Sequence, residues 1–321
     1  PSNIRKISSH SFCQCKEIES FTFEKNSELN EIDIHAFSFS SINNFQIPSN
    51  VSIIKNSAFM ECYNLESFMI SSDSKLSTIN EYAFLNSTIS EINFPSSLIE
   101  IEEKAFIECN NLKSVTFSKN SQLKVIPKYC FYKSGIEKII IPSSVIKIDE
   151  YAFCECELMK SIEFEENSNL SVICYKAFAY NDIESLNLPS SLISIDKLGF
   201  FHLDKLRSLN FHPNCKIKTI GSAAFSNTMI ENLVIPPSVT LIKEAGFGAI
   251  IELKSVEFLG EEITILTFCF ESPNKLFLVS FPNARDIKLE NKSVYDDDTS
   301  DKFVLYIPPY VEIKNYVSKH E

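Results

Sequence analysis

Apolar residues in this chain cluster into short segments of the form apolar-x-x-apolar-x-apolar. They run from Leu65 to Ile70, Ile89 to Phe94, Leu112 to Phe117, Ile136 to Ile141, Met159 to Phe164, Ile183 to Leu188, Leu206 to Phe211, Ile230 to Ile235 and Leu253 to Phe258. Runs this short, rich in β-branched and aromatic residues and bounded by Pro, Ser and Asn, predict β-strands whose successive side chains face opposite sides. A second apolar pair, such as Leu98 with Ile101 or Val145 with Ile148, follows each Pro-Ser-Ser turn and predicts another short extended piece on the far side. No segment carries a ten-residue helical period, so helices should be few.

Between the predicted strands, phenylalanine keeps time. Phe12, Phe37, Phe59, Phe84, Phe106, Phe131, Phe153, Phe178, Phe200, Phe225, Phe247 and Phe270 are separated by alternating steps of 25 and 22 residues, with a last step of 23. A fixed period in this range marks a stacked array. The 47-residue unit Pro95 to Ile141 recurs as Pro142 to Leu188. Short halves turn through Pro-Ser-Ser at Pro95, Pro142 and Pro189, where proline fixes φ; long halves turn through Asn-Ser at Asn26, Asn120 and Asn167 with two extra residues. One more residue follows the phenylalanine in the short-to-long half. A single coil would leave its Leu, Ile and Phe in water, whereas parallel coils stacked about 4.8 Å apart bury them in one core. The expected organisation is about twelve coils over residues 1–284, then an irregular acidic insertion and a C-terminal cap over residues 285–321.

The strand pattern, the P-S-S-V/L-x-x-I turn and the x-A-F-x-x-C segment together resemble the BspA-type leucine-rich repeat. The Ala-Phe pairs at 36–37, 58–59, 83–84, 105–106, 152–153, 177–178 and 224–225 are its most specific mark; Cys130, Cys269, Gly199 and Gly246 stand in for the alanine, small for small. The match runs from Pro1 to about Phe270, and the stretch from Leu305 to Tyr316 resembles the family's terminal cap. The resemblance implies a mainly β, right-handed, curved leucine-rich-repeat solenoid, here with alternating 22- and 25-residue coils. It further implies protein or cell-surface binding and no catalytic residues. Because Pro1-Ser2-Asn3-Ile4 aligns with Pro95-Ser96-Ser97-Leu98, the chain is expected to start in mid-repeat, as an N-terminally truncated piece.

Composition narrows the function classes. Net charge of -12 opposes binding to a phosphate backbone, which requires clustered cations, so nucleic acid is not an expected partner. The longest aliphatic cluster, Ile139 to Ile141, is far short of the roughly 18 apolar residues a membrane helix needs, so no membrane span is expected. Cys15, Cys62, Cys109 and Cys156 recur every 47 residues, two coils apart, or about 10 Å. That exceeds the roughly 7 Å a disulfide permits between Cα atoms, so this ladder should hold buried thiols bonded to loop backbone. The C-x-C pairs Cys13/Cys15 and Cys154/Cys156 lack a second pair at zinc spacing. His10 and His35 share a phase, two before a phenylalanine, and are read as loop histidines on adjacent coils.

No H-E-x-x-H, G-x-S-x-G or P-loop pattern occurs, and neither an enzyme, a cofactor nor a metal is expected. The acidic stretch Asp296-Asp297-Asp298, with Asp301 and Glu290, lacks the glycine of a calcium loop and is read as a solvated insertion. Triplets for glycosylation start at Asn50, Asn86, Asn169 and Asn291, a number that a chain rich in Asn and Ser yields by chance.

The candidate site is the outward strand face: Asn44, Gln46, Ser67, Met69, Glu91, Asn93, Ser114, Thr116, Lys138, Ile140, Ser161, Glu163, Ser185, Asn187, Ser208, Asn210, Asn232, Val234, Ser255 and Glu257. Ser and Asn dominate this row. Such a face suits a protein or glycan ligand, and equally suits plain stacking. The leading expectation is a surface-displayed adhesion or recognition module; the alternative is an intracellular scaffold or regulatory domain.

Overall fold

The computed structural model describes residues 2–270, 275–290, 304–311 and 313–316. Among them every regular element is a β-strand and every strand pairing is parallel; no helix forms. The chain is a parallel β-solenoid with two strands per coil, and it divides into two compact units, residues 1–167 and 168–321.

In the first unit the front strands are Ser20–Phe21, Asn44–Gln46, Ser67–Met69, Glu91–Phe94, Ser114–Phe117, Lys138–Ile141 and Ser161–Phe164. The back strands are two residues each: Lys6–Ile7, Glu31–Ile32, Ile53–Ile54, Thr78–Ile79, Glu100–Ile101, Val125–Ile126 and Lys147–Ile148. Lys6 lies opposite Glu31, Glu31 opposite Ile53, Ile53 opposite Thr78 and Thr78 opposite Glu100, giving steps of 25, 22, 25 and 22 residues. The front register steps by 24 and 23 instead, Ser20 facing Asn44 and Asn44 facing Ser67. The difference locates the extra residues: strand starts are 9 apart from Asn44 to Ile53 but 11 from Ser67 to Thr78, and 13 apart from Glu31 to Asn44 but 14 from Ile53 to Ser67.

The short turn closes with the Leu98 N–H donating to the Pro95 carbonyl at 3.1 Å, and its second serine ties it to the coil before. The Ser97 hydroxyl donates to the carbonyls of Ser74 and Leu76, at 2.7 and 2.8 Å. In the long turn the serine hydroxyl instead accepts from the amide two residues on, as Ser74 does from Leu76 at 3.2 Å.

A third face, the arc around each phenylalanine, contains no strand but is stitched just as regularly. The N–H groups of His35, Phe37 and Phe39 donate to carbonyls of the next coil (Asn56, Ala58, Met60), while those of Ala36, Ser38 and Ser40 close local turns onto Asp33, His35 and Phe37. The residues two before and two after every phenylalanine from Phe12 to Phe247 have positive φ, between 51° and 61°. None of them is glycine.

These arcs hold the phenylalanine column. From Phe12 to Phe153 successive ring centroids lie 5.0 to 5.4 Å apart with planes within 16°. Apart from Phe12, which is half-buried, these rings are fully inaccessible to solvent. Burying each contributes about 1.5 to 3 kcal/mol. Phe45 and Phe68 from the front strands meet the column edge-on.

The second unit repeats the plan. Its front strands are Ser185–Leu188, Ser208–Phe211, Asn232–Ile235, Ser255–Phe258, Leu278–Ser280 and Val304–Tyr306. Its back strands form one ladder: Val172–Ile173, Ser194–Ile195, Thr219–Ile220, Leu241–Ile242, Glu262–Ile265, Asp286–Glu290 and Ile313–Tyr316. Phe178, Phe200, Phe225, Phe247 and Phe270 stack at 5.3 to 5.8 Å.

Candidate functional site

Strand pleating settles which side chains face water. Along Glu91–Phe94, Lys138–Ile141 and Asn232–Ile235, exposed and buried residues alternate strictly, with Glu91/Asn93, Lys138/Ile140 and Asn232/Val234 outward. In the first unit Asn44, Gln46, Met69, Ser114, Thr116 and Glu163 are also exposed, whereas Ser67 and Ser161 are half-buried. In the second unit Ser185, Asn187, Ser208, Asn210 and Glu257 are exposed and Ser255 is half-buried.

Parallel registry sets like beside like and so lets neighbouring polar groups satisfy one another. In the first unit Thr116 Oγ1 donates to Asn93 Oδ1, and Lys138 Nζ lies 2.5 Å from Glu163 Oε1. In the second, Asn210 Nδ2 donates to Asn187 Oδ1 at 2.9 Å and Ser255 Oγ to Asn232 Oδ1 at 2.7 Å. Met69, Ile140 and Val234 stand between 46% and 49% exposed, apolar points on a polar field. Both polar bonding capacity and apolar area are therefore presented on one face.

The row just before the front strands is not among the residues the sequence singles out, and from Lys113 to Lys254 it carries charge of alternating sign. Lys113 Nζ reaches Glu137 Oε1 at 3.6 Å in the first unit; Glu231 lies between Lys254 at 2.6 Å and Arg207 at 3.9 Å in the second. The signal is the second position of the L-x-x-L segments from Lys113 to Lys254, where Lys113, Glu137, Lys160, Glu184, Arg207, Glu231 and Lys254 alternate in sign.

The remaining candidates have structural settings. His10 and His35 lie with ring centroids 4.9 Å apart and planes tilted by 32°; burial, and after it the neighbouring His10, lower the His35 pKa. His10 is exposed, but His35 is half-buried rather than an open loop residue. Among the described residues no three His, Cys, Asp or Glu side chains group as metal ligands. No disulfide joins any of the ten cysteines. The thiols of Cys62, Cys109 and Cys156 donate to the carbonyls of Phe37, Phe84 and Phe131 at 3.0 to 3.1 Å, and burial pushes the last two up to about 12. Cys15, fourth in that phase, is only half-buried. Glu290 ends a back strand and accepts from the Thr267 N–H at 2.9 Å. Asp296-Asp297-Asp298, Asp301 and Asn291 lie outside the described residues. Among the described residues no helix is long and apolar enough to cross a membrane.

Two strands per coil, a phenylalanine spine and a polar strand face define a leucine-rich-repeat solenoid. The chain belongs to the BspA-type leucine-rich repeat family, whose repeat region matches residues 1–113, 77–174 and 171–297. Among solved structures it is similar to a leucine-rich repeat protein from Bacteroides ovatus, at 19% identity and a TM-score of 0.65, over 98% of this chain and 88% of that one. It is also similar to the pneumococcal vaccine antigen PcpA, at 19% identity and a TM-score of 0.49, covering 98% and 80% of the two chains. A leucine-rich cell surface protein from Faecalibacterium prausnitzii follows at 18% identity and 0.42, covering 87% and 77%. No curated protein sequence matches the chain.

Proposed function

We propose that this chain is a non-enzymatic recognition module, displayed at a cell surface, which binds a protein or glycan through its front strand face. The observation that carries the reading is the open polar face of the first unit, where Asn44 and Gln46 stand exposed beside Ser67 and Met69, and Glu91 and Asn93 stand exposed in registry with Ser114 and Thr116. Short amide and hydroxyl side chains lose little entropy on ordering, and they pair with the hydroxyls of a glycan or the backbone of a protein. Surface display rests on the family's occurrence in surface antigens.

The test is a binding screen of the purified chain against arrayed extracellular proteins and glycans, repeated with Asn93→Arg/Thr116→Arg. Parent hits should weaken at least tenfold in the double variant while its melting temperature stays put, since exposed substitutions change stability by only about 0.5 kcal/mol. An empty array, or hits indifferent to the double variant, would sink the proposal.

The second reading, an intracellular scaffold, draws on the ten cysteines without a disulfide. That feature favours a reducing compartment weakly, because thiols held near 12 in the core resist oxidation anywhere. Native protein in which Cys13 and Cys15, the two half-buried thiols, are found oxidised would exclude it.

A further inference from the structure

The second unit treats its lysines in two ways. Lys254 lies 2.6 Å from Glu231 and Lys275 lies 2.7 Å from Glu252, so these cations are matched by a neighbouring coil. Lys197 and Lys243 have no carboxylate within 4.0 Å among the described residues. Both line one cleft of about 410 Å³, at the corner where the back strands Ser194–Ile195 and Thr219–Ile220 turn into the arc.

The register builds this corner. Ser194 lies opposite Thr219 and Thr219 opposite Leu241, so Asp196, Gly221 and Lys243 fall in one row across three coils, with Lys197 and Ser222 in the next row. At the middle of the first row Gly221 has no side chain, and a Cβ there would meet the Asp196 carbonyl carbon at 2.5 Å. Packing therefore keeps the row open. Lys197 and Lys243 start two coils apart, about 10 Å, and their flexible four-carbon stems bring both to the same cleft.

The rest of the lining is rich in hydroxyls. Ser194, Thr219 and Ser222 face the cleft, and their side chains make no hydrogen bond to the protein among the described residues. Tyr175 sets a half-buried ring at one side, and Asp196 is the carboxylate of the lining. At or beside the four back strands from Val172 to Ile242 stand Lys176, Lys197, Lys218 and Lys243 against Asp196 and Glu244, in a chain whose net charge is -12. The corner is locally cationic.

Two ammonium groups and three hydroxyl donors around one gap match a tetrahedral oxyanion, all of whose free oxygens accept hydrogen bonds. Asp196 and Tyr175 match what carries that anion: sugar hydroxyls donate to a carboxylate, and the apolar face of a sugar ring lies on an aromatic one. The cleft volume falls in the range of small-ligand sites, about 300 to 1,000 Å³. We infer that this cleft binds a sugar bearing a sulfate or phosphate ester, with the ester oxygens held by Lys197, Lys243 and the hydroxyls of Thr219 and Ser222. The site lies on the back of the second unit and does not rest on the front-face reading, whose double variant is in the first unit.

The probes are N-acetylglucosamine and its sulfate and phosphate monoesters, titrated calorimetrically into the full chain at about 0.15 M salt, where long-range attraction is screened. At least one ester should bind, and at least tenfold more tightly than the plain sugar; which one binds tells a sulfated from a phosphorylated glycan. Inorganic sulfate or phosphate alone should bind at least tenfold more weakly than the matching ester. Lys197→Gln/Lys243→Gln should weaken the ester at least tenfold at an unchanged melting temperature. Lys205→Gln/Lys216→Gln removes the same charge from exposed positions outside the cleft and should leave binding within about twofold. The proposal is overturned if neither ester outbinds the plain sugar, if the inorganic anion binds as well as its ester, if the Lys197/Lys243 variant binds as the parent does, or if the Lys205/Lys216 variant loses as much.

Discussion

The residues beside the spine show how a chain with six glycines makes so many left-handed turns. Positive φ costs an ordinary residue about 1 to 2 kcal/mol, and here the amide freed by that conformation bonds to the next coil, as Glu108 does to Tyr132 at 2.8 Å. Many residue types tolerate the arrangement, but Val, Ile, Thr and Pro are missing from these flanking positions, as expected where a branched Cβ would meet backbone. Glu108→Val should therefore lower unfolding free energy by about 1 to 2 kcal/mol, while Glu108→Gly should stay within about 1 kcal/mol of the parent in the same denaturant titration. Equal effects of the two would refute the strain argument. The phenylalanine spine and its small neighbours were legible from spacing alone. The left-handed pairs were not, because the usual glycine signal is absent and the compensating bond is made to a residue more than twenty positions away.

At the level of the element, the two-residue back strands are too short to hold themselves and borrow ion pairs. Lys6 lies 2.9 Å from Glu31 and 2.7 Å from Asp33, and Lys55 lies 2.7 Å from Glu31. The Lys6 ammonium, and after it the Ile34 N–H, holds Asp33 at about 2, below its ordinary 3.8; Glu31 is also lowered, by Lys55 first. Lys6 and Lys55 are correspondingly raised above 10.5. A lowered carboxylate gives its full stabilisation above its unfolded value and loses it as pH falls toward its folded one. A raised lysine gives its own below 10.5 and loses it above. Thermal stability of the first unit should accordingly be greatest between about pH 7 and 8, falling below as His35 and then the carboxylates take up protons and above as unfolding frees the buried thiols to ionise near 9.0, and Asp33→Asn should flatten the acid limb between about 5 and 2. An unaltered acid limb in that variant would discard the assignment. Front strands and their outward residues could be read from period-two alternation. Pro127 could not, since proline also opens the short turns and only the register shows that it occupies the position from which Asn80, Glu102 and Asp149 donate to the coil before.

At the scale of the molecule, element contacts among the described residues run between neighbouring coils, so damage should stay local. Phe131 touches Phe106 and Phe153 at 5.4 and 5.3 Å and is wholly buried, and its truncation to alanine should cost about 3 to 5 kcal/mol. Differential scanning calorimetry should then resolve a second transition absent from the parent; a single unshifted peak would contradict the nearest-neighbour picture. The alternation of turns has a further consequence for how such a chain can grow. Short turns reach into long ones through Ser97 to Ser74, long turns reach into short ones through Gln122 to Ser96, and two like turns side by side would forfeit those bridges. A gene encoding this array can change copy number cleanly only in whole pairs, and lineages related by slippage should differ in length by multiples of 47 codons.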